Sequence, residues 1–169
     1  MITAHLPAGY LLWRGFPFSG RICLAAALAE AVLPDLDMFY FWLVGRGQVH
    51  HHRYWWHAPG FWLAVYLPAA LSLRRTRLFP AVSAFMAAIV LHLMLDTIGG
   101  GIMWLFPFEN SLYRLVEVRA TRWHWSVSFL FHWTFLLEVA IWASALWLFM
   151  FRRYRREEGS ADHELGRRK

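Results

Sequence analysis

Eight residues at 50–57, HHHRYWWH, gather four histidines and an arginine among three aromatic side chains. Upstream, PDLD at 34–37 puts Asp35 and Asp37 two apart behind a proline, a spacing that lets a non-helical segment aim both carboxylates at one point. Downstream, His92 and Asp96 are four apart, so on a helix they share one face about a turn from each other. Neutral imidazole and carboxylate without thiolate suit Zn(II), Mn(II) or Fe(II), and two or more carboxylates permit a bridged two-metal site. Cys23 is the single cysteine, which excludes a cysteine-rich zinc knuckle and an intrachain disulfide framework. A divalent ion among such ligands lowers the pKa of bound water and polarises a phosphoryl or carbonyl oxygen. Arg53, next to His52, has the donor geometry to clamp a phosphate in bidentate fashion.

Each signal has a plainer explanation. His50 and His51 read as solvent-facing neighbours of the chemistry, and PDLD by itself is a turn and helix cap. His92 with Asp96 could be a hydrogen-bonded pair inside a membrane. Trp55, Trp56, Trp104, Trp123 and Trp125 lie near helix ends, as an interfacial belt would. PFEN at 107–110 reads as a turn closing over the site, with Gly99, Gly100 and Gly101 relaxing the preceding helix end. Glu30, His132 and Glu138 fall in apolar stretches and receive no role from sequence alone.

The elements that must position these residues are read from composition and charge. The 169 residues are 59% hydrophobic, with eleven tryptophans and a net charge of +6 carried by sixteen arginines and one lysine. Much of the excess lies in RRTR at 74–77 and RRYRR at 152–156, flanking apolar runs. That placement fits membrane topology and not nucleic-acid binding, where basic residues line a common face. The expectation is an all-α integral membrane protein. Segments 79–98 and 125–151 are long enough to span; 4–13, 20–34 and 60–73 are about three shorter inserted helices. The start lacks the pattern of a cleavable signal peptide. Positive-inside arithmetic puts both basic clusters in the cytoplasm, with the required two crossings between them. Asp35, Asp37, the 50–57 histidines, Asp96 and His124 then gather at the outer, periplasmic face, where buried ionisable groups are costly unless paired or coordinated. Residues 1–151 read as the membrane-embedded domain and 152–169 as a polar, flexible cytoplasmic tail, a topology anchor whose protein partner is unknown.

Five collinear pieces carry a resemblance: TAHLPAGYLL at the start, LPDLD at 33–37, HRYWWH at 52–57, LHLMLD at 91–96 and WLFPF at 104–108. In that order they resemble the bacterial inner-membrane metal-dependent hydrolase family, also described as LexA-binding, membrane-associated hydrolases. The resemblance implies a metal site drawn from His5, Asp35, Asp37, His52, His57, His92 and Asp96, with Arg53 alongside. The chain departs from the family by carrying Tyr54, Trp56 and Ala58 where small or hydroxyl residues are usual. Hydroxyls that would orient a ligand are therefore missing.

The expected activity is metal-assisted hydrolysis with one or two ions, zinc first and manganese or iron next. Asp37 or Asp96 would act as general base and Arg53 would steady an anionic, lipid-like ester or phosphoester drawn from the membrane. Two alternatives come from other classes. A haem- or quinone-binding subunit would use His92 and His132 as axial ligands, but leaves the aspartates without work. A non-enzymatic scaffold would act through its basic tail on anionic lipid or a partner.

Overall fold

The computed structural model describes residues 3–15, 17, 20–45, 51–119 and 125–167. Among these residues, seven α-helices follow in order: α1 His5–Gly15, α2 Arg21–Ala29, α3 Asp37–Leu43, α4 Pro59–Leu73, α5 Phe79–Gly99, α6 Trp125–Leu130 and α7 Phe135–Arg167. Short 3-10 turns at Pro34–Leu36, His51–Arg53 and Trp55–His57 connect them. Among the described residues, extended structure is limited to one antiparallel bridge between Ile102 and Tyr113. His50 and His124 lie outside the described residues.

Helix α5 is the central post. Its buried positions Ala81, Ala84, Ala88, His92 and Asp96 recur every three or four residues, which draws one continuous stripe along the helix. The lower part of that stripe is alanine, so neighbouring backbones can approach closely, as small residues allow between helices in a membrane. Helix α2 meets it with Cys23 and Ala27, and Glu30 follows at the end of the same stripe. Helix α1 completes the trio through Ala8 and Gly9. A Cβ on Gly9 would lie 2.6 Å from the Ala27 carbonyl oxygen, so only glycine permits this crossing. Polar residues begin where the alanines end: His5 on α1, Glu30 after α2, His92 and Asp96 on α5. The stripe is one surface with a greasy stem and an ionisable head.

The expected span 79–98 is α5, and 60–73 is α4, which begins at Pro59 and carries Pro68 inside. At about 1.5 Å per residue, the 21 residues of α5 cover roughly 31 Å, enough for the hydrocarbon core, whereas α4 falls short. The last span differs from the sequence expectation of one helix over 125–151. A turn separates α6 from α7, and the apolar run long enough to cross is Phe135–Gly159. The reason is local capping: His132 Nδ1 accepts from the Thr134 hydroxyl at 2.9 Å and lies 3.4 Å from its backbone N–H. Polar groups here satisfy the start of α7 instead of continuing α6.

Helix α7 is peripheral. Only 11% of its apolar window is buried, against 44% for α5. Leu136, Val139, Trp142, Leu146 and Trp147 all lie on its exposed surface, which suits a helix bathed in lipid. Its N-terminal turn is fastened to the chain start: buried Glu138 accepts from the Thr3 backbone N–H at 3.0 Å and from its hydroxyl at 2.7 Å. Trp142 Nε1 donates to the same hydroxyl at 3.2 Å. The helix continues without a break into the basic segment as far as Arg167, where the sequence reading expected a flexible tail.

Candidate metal centre

Four donor atoms from three segments converge in the buried head of the bundle. They are Asp35 Oδ1, His57 Nε2, His92 Nε2 and Asp96 Oδ2, all within 4.8 Å of one another. The separations are 3.5 Å from His57 to Asp35, 3.8 Å from His92 to Asp35, 3.8 Å from His57 to Asp96 and 3.1 Å from His92 to Asp96. A tetrahedral zinc with bonds of about 2.0–2.1 Å needs ligand atoms about 3.3–3.4 Å apart, and these four separations bracket that value.

The other nitrogens of the rings determine what these atoms can do. His57 Nδ1 lies 2.5 Å from Asp37 Oδ2, and His52 Nδ1 lies 2.9 Å from the Gly101 carbonyl. His92 Nδ1 faces Glu30 Oε2 at 3.3 Å. In the neutral ring, the acceptors beside His57 and His52 favour the Nδ1–H tautomer, which leaves Nε2 as the inward-facing metal-binding nitrogen. Carboxylate oxygens and imidazole lone pairs then face one another at 3.1–3.8 Å, an arrangement that a cation or proton must relieve. Carboxylate or carbonyl behind the remote nitrogen is also how metal-ligating histidines are fixed.

The same tension shows in the acid–base behaviour of the connecting turns. Burial opposes charge on His57, yet Asp35 and Asp37 outweigh it and hold the imidazole above the usual histidine range. Burial pushes the Asp37 carboxyl up, and the bond from His57 only partly offsets it. Asp35 is buried less completely, and His57 keeps its carboxyl below the usual range against the effect of burial. The head of the bundle attracts positive charge.

Local structure explains how distant residues meet. His92 and Asp96 are one helical turn apart on α5. Pro34 opens the turn that presents Asp35, and the following helix starts at Asp37, so the two carboxylates diverge around His57. His52 and His57 come from successive 3-10 turns, which brings their ring centroids to 4.6 Å. Gly101, at φ +82°, turns the chain after α5 and delivers its carbonyl to His52. Gly100 gives that ring its room: a Cβ there would lie 2.6 Å from His52 Nδ1.

All seven residues of the expected ligand set are therefore neighbours, but in three positions. Asp35, His57, His92 and Asp96 form the central quartet. His5 and His52 flank it: His5 Nε2 is 3.2 Å from Asp96 Oδ1 and its ring stacks on His92 at 3.7 Å, while His52 Nε2 is 3.8 Å from Asp96 Oδ2. Asp37 stands behind His57, because it meets the nitrogen opposite the one aimed at the quartet. Arg53 is exposed and makes no ion pair with the cluster among the described residues. His132 is engaged with Thr134 in its own turn. In the 107–110 turn Phe108 is 95% exposed, and the preceding Phe106 carbonyl packs on Gly60 at the start of α4, three residues after His57. Glu30, which the sequence left unassigned, is brought against His92 at the edge of the cluster. Its signal was there, since Cys23, Ala27 and Glu30 continue one helical stripe.

Fold and centre together define an all-helical membrane-type protein with a buried histidine–carboxylate cluster at the head of its helices. A family model for the YdjM inner membrane protein matches residues 1–159, and the chain belongs to that family of inner membrane proteins. The match reaches from α1 through the apolar part of α7. No curated protein and no solved structure matches the chain.

Proposed function

We propose that this protein is a membrane-bound, divalent-metal-dependent hydrolase that cleaves an ester or phosphoester of a lipid-like substrate at the outer, periplasmic face. The observation that carries the reading is the convergence of Asp35, His57, His92 and Asp96, with Asp37 and Glu30 behind the two imidazoles. Nitrogen and oxygen donors without sulfur suit zinc first, then manganese or iron. An ion held there would supply Lewis acidity and an activated water. Asp96 turns one oxygen to His5 and the other to His57 and His92, so the head has donors for a second ion on the His5 side.

The chain's own residues divide the remaining work. Asp37 and Glu30 hold the rings and their tautomers. Asp35 has a side chain about one-third exposed, the most open of the quartet, and is the carboxylate positioned to exchange a proton with an arriving substrate. Arg53, exposed on the same turn as His52, is free to meet an anionic headgroup. The lipid-like substrate rests on the surroundings: Phe39, Tyr40, Trp42 and Leu43 on α3 are all exposed beside the Asp35–Asp37 turn, as at a membrane interface.

Elemental analysis of detergent-purified protein tests this directly. Wild type should carry near-stoichiometric zinc, manganese or iron, and His57→Ala and Asp96→Ala should lose it while keeping their helical circular dichroism. The loaded protein should then hydrolyse phospholipid in mixed micelles. Absence of metal after reconstitution with divalent ions would end the metal reading; hydrolysis of soluble esters alone would end the lipid one.

A further inference from the structure

At the end of the bundle opposite the metal centre, α1 and α7 enclose a second polar site. The two helices run side by side in the same direction. Thr3 meets Glu138, Tyr10 packs edge-on against Phe149 with centroids 6.4 Å apart, and Arg14 shares a cleft with Arg152, Arg153 and Arg156. That cleft has a volume of about 390 Å³, with Phe149 and Glu157 completing its lining. From His5 to Arg14 α1 advances about 14 Å, and from Glu138 to Arg153 α7 advances about 22 Å, so the cleft lies toward the other end of both helices from the polar head.

Four guanidinium groups meet there with one carboxylate, and Glu157 is already taken by Arg153 Nε at 2.9 Å. Arg14 is held in place by its own helix: its Nε donates to the Tyr10 hydroxyl at 3.2 Å, and its guanidinium lies 4.1 Å over the Trp13 ring. Mutual repulsion among the remaining guanidiniums calls for an anion. The apolar side of the cleft says which kind. Phe149 is in its wall, about one turn before Arg152 and Arg153 on the apolar side of α7, where acyl chains would lie below a headgroup. A soluble phosphate has no use for that surface.

We propose that this cleft binds the phosphodiester headgroup of an anionic phospholipid in the cytoplasmic leaflet. Arg14, Arg152 and Arg156 contact the phosphate, and Phe149 borders the start of the acyl chains. Arginine is suited to this role through its planar, forked donors. Basic pockets between helices at a cytoplasmic surface bind such headgroups with more selectivity than a diffuse basic tail. The site is independent of the metal centre. It makes α1, which also carries His5, a link between lipid contact and the polar head.

The test uses the full chain in nanodiscs of one part phosphatidylglycerol to four parts phosphatidylcholine, with lipid retention read by native mass spectrometry. Wild type should retain phosphatidylglycerol over phosphatidylcholine by roughly tenfold or more. Arg14→Gln should reduce that preference severalfold, and the triple variant Arg14→Gln, Arg152→Gln, Arg156→Gln should abolish it. The charge-matched control Arg74→Gln, Arg75→Gln, Arg77→Gln removes as many arginines from the other basic cluster and should keep the preference. Equal loss in that control would overturn the proposal in favour of diffuse surface charge. Absence of preference in wild type, or displacement of the lipid by millimolar inorganic phosphate, would overturn it as well. If Arg14→Gln fails to fold, the exposed pair Arg152→Gln, Arg156→Gln carries the same comparison.

Discussion

Replacing Asp37 with asparagine separates holding a metal from aiming the group that holds it. Asp37 Oδ2 is 2.5 Å from His57 Nδ1, on the far side of the ring from the donor quartet. Asparagine keeps the volume and an acceptor oxygen, so the ring stays oriented and only the charge behind it is lost. Carboxylates in this position change metal affinity by about 10–100-fold. A hydrogen bond to a charged group contributes about 1.5–3 kcal/mol, or about 13–160-fold, so the two scales agree. Asp37→Asn should fall near the lower end, about tenfold, and Asp37→Ala near the upper end, because it frees the ring to rotate as well. His57→Ala, which removes a donor of the quartet, should exceed both. Zinc affinity would be measured on detergent-purified protein by competition with a chromophoric chelator at fixed pH and salt. Loss of binding in Asp37→Asn as complete as in His57→Ala would make Asp37 a ligand itself. Unchanged affinity in both Asp37 variants would mean that His57 Nδ1 is not the anchored nitrogen, and the arrangement argued above would fail.

Three further outcomes follow from the packing. Gly100→Ala drives a methyl into the His52 ring, so it should weaken zinc binding measured in the same competition while leaving the helical circular dichroism intact. Gly9→Ala forces α1 away from the Ala27 carbonyl; overpacking of this kind costs about 1–3 kcal/mol, to be seen as a lowered midpoint of thermal unfolding in detergent. Glu138→Ala strips Thr3 of its buried acceptor and should cost about 2–3 kcal/mol, with faster proteolysis near the N-terminus as an independent sign.

Much of this protein was legible before any coordinates. The run 79–98 reads as a spanning helix because length and hydropathy are local properties, and α5 is that helix. His92 and Asp96 read as neighbours because four residues make one turn. The split between α6 and α7 was not legible, since 125–151 is apolar throughout and its break depends on the bond between His132 and Thr134. Helix α3 was missed for the opposite reason: seven residues following an irregular turn are too few to show a period.

By itself, then, the amino-acid sequence determined the kind of chemistry and the kind of solvent. Imidazoles and carboxylates without thiols, in apolar helices bounded by arginines, specify a nitrogen–oxygen cluster in a membrane protein. Only the tertiary structure decided the geometry of that cluster. Whether Asp37 joins the quartet or stands behind His57, and whether Glu30 reaches His92, depends on the crossing of α1, α2 and α5. That crossing is set by alanines and one glycine more than twenty residues from some of the donors they align. The 3-10 turns that bring His57 to Asp35 have no sequence period. Convergence of this sort is a property of packed surfaces, and it exists only once the helices have met.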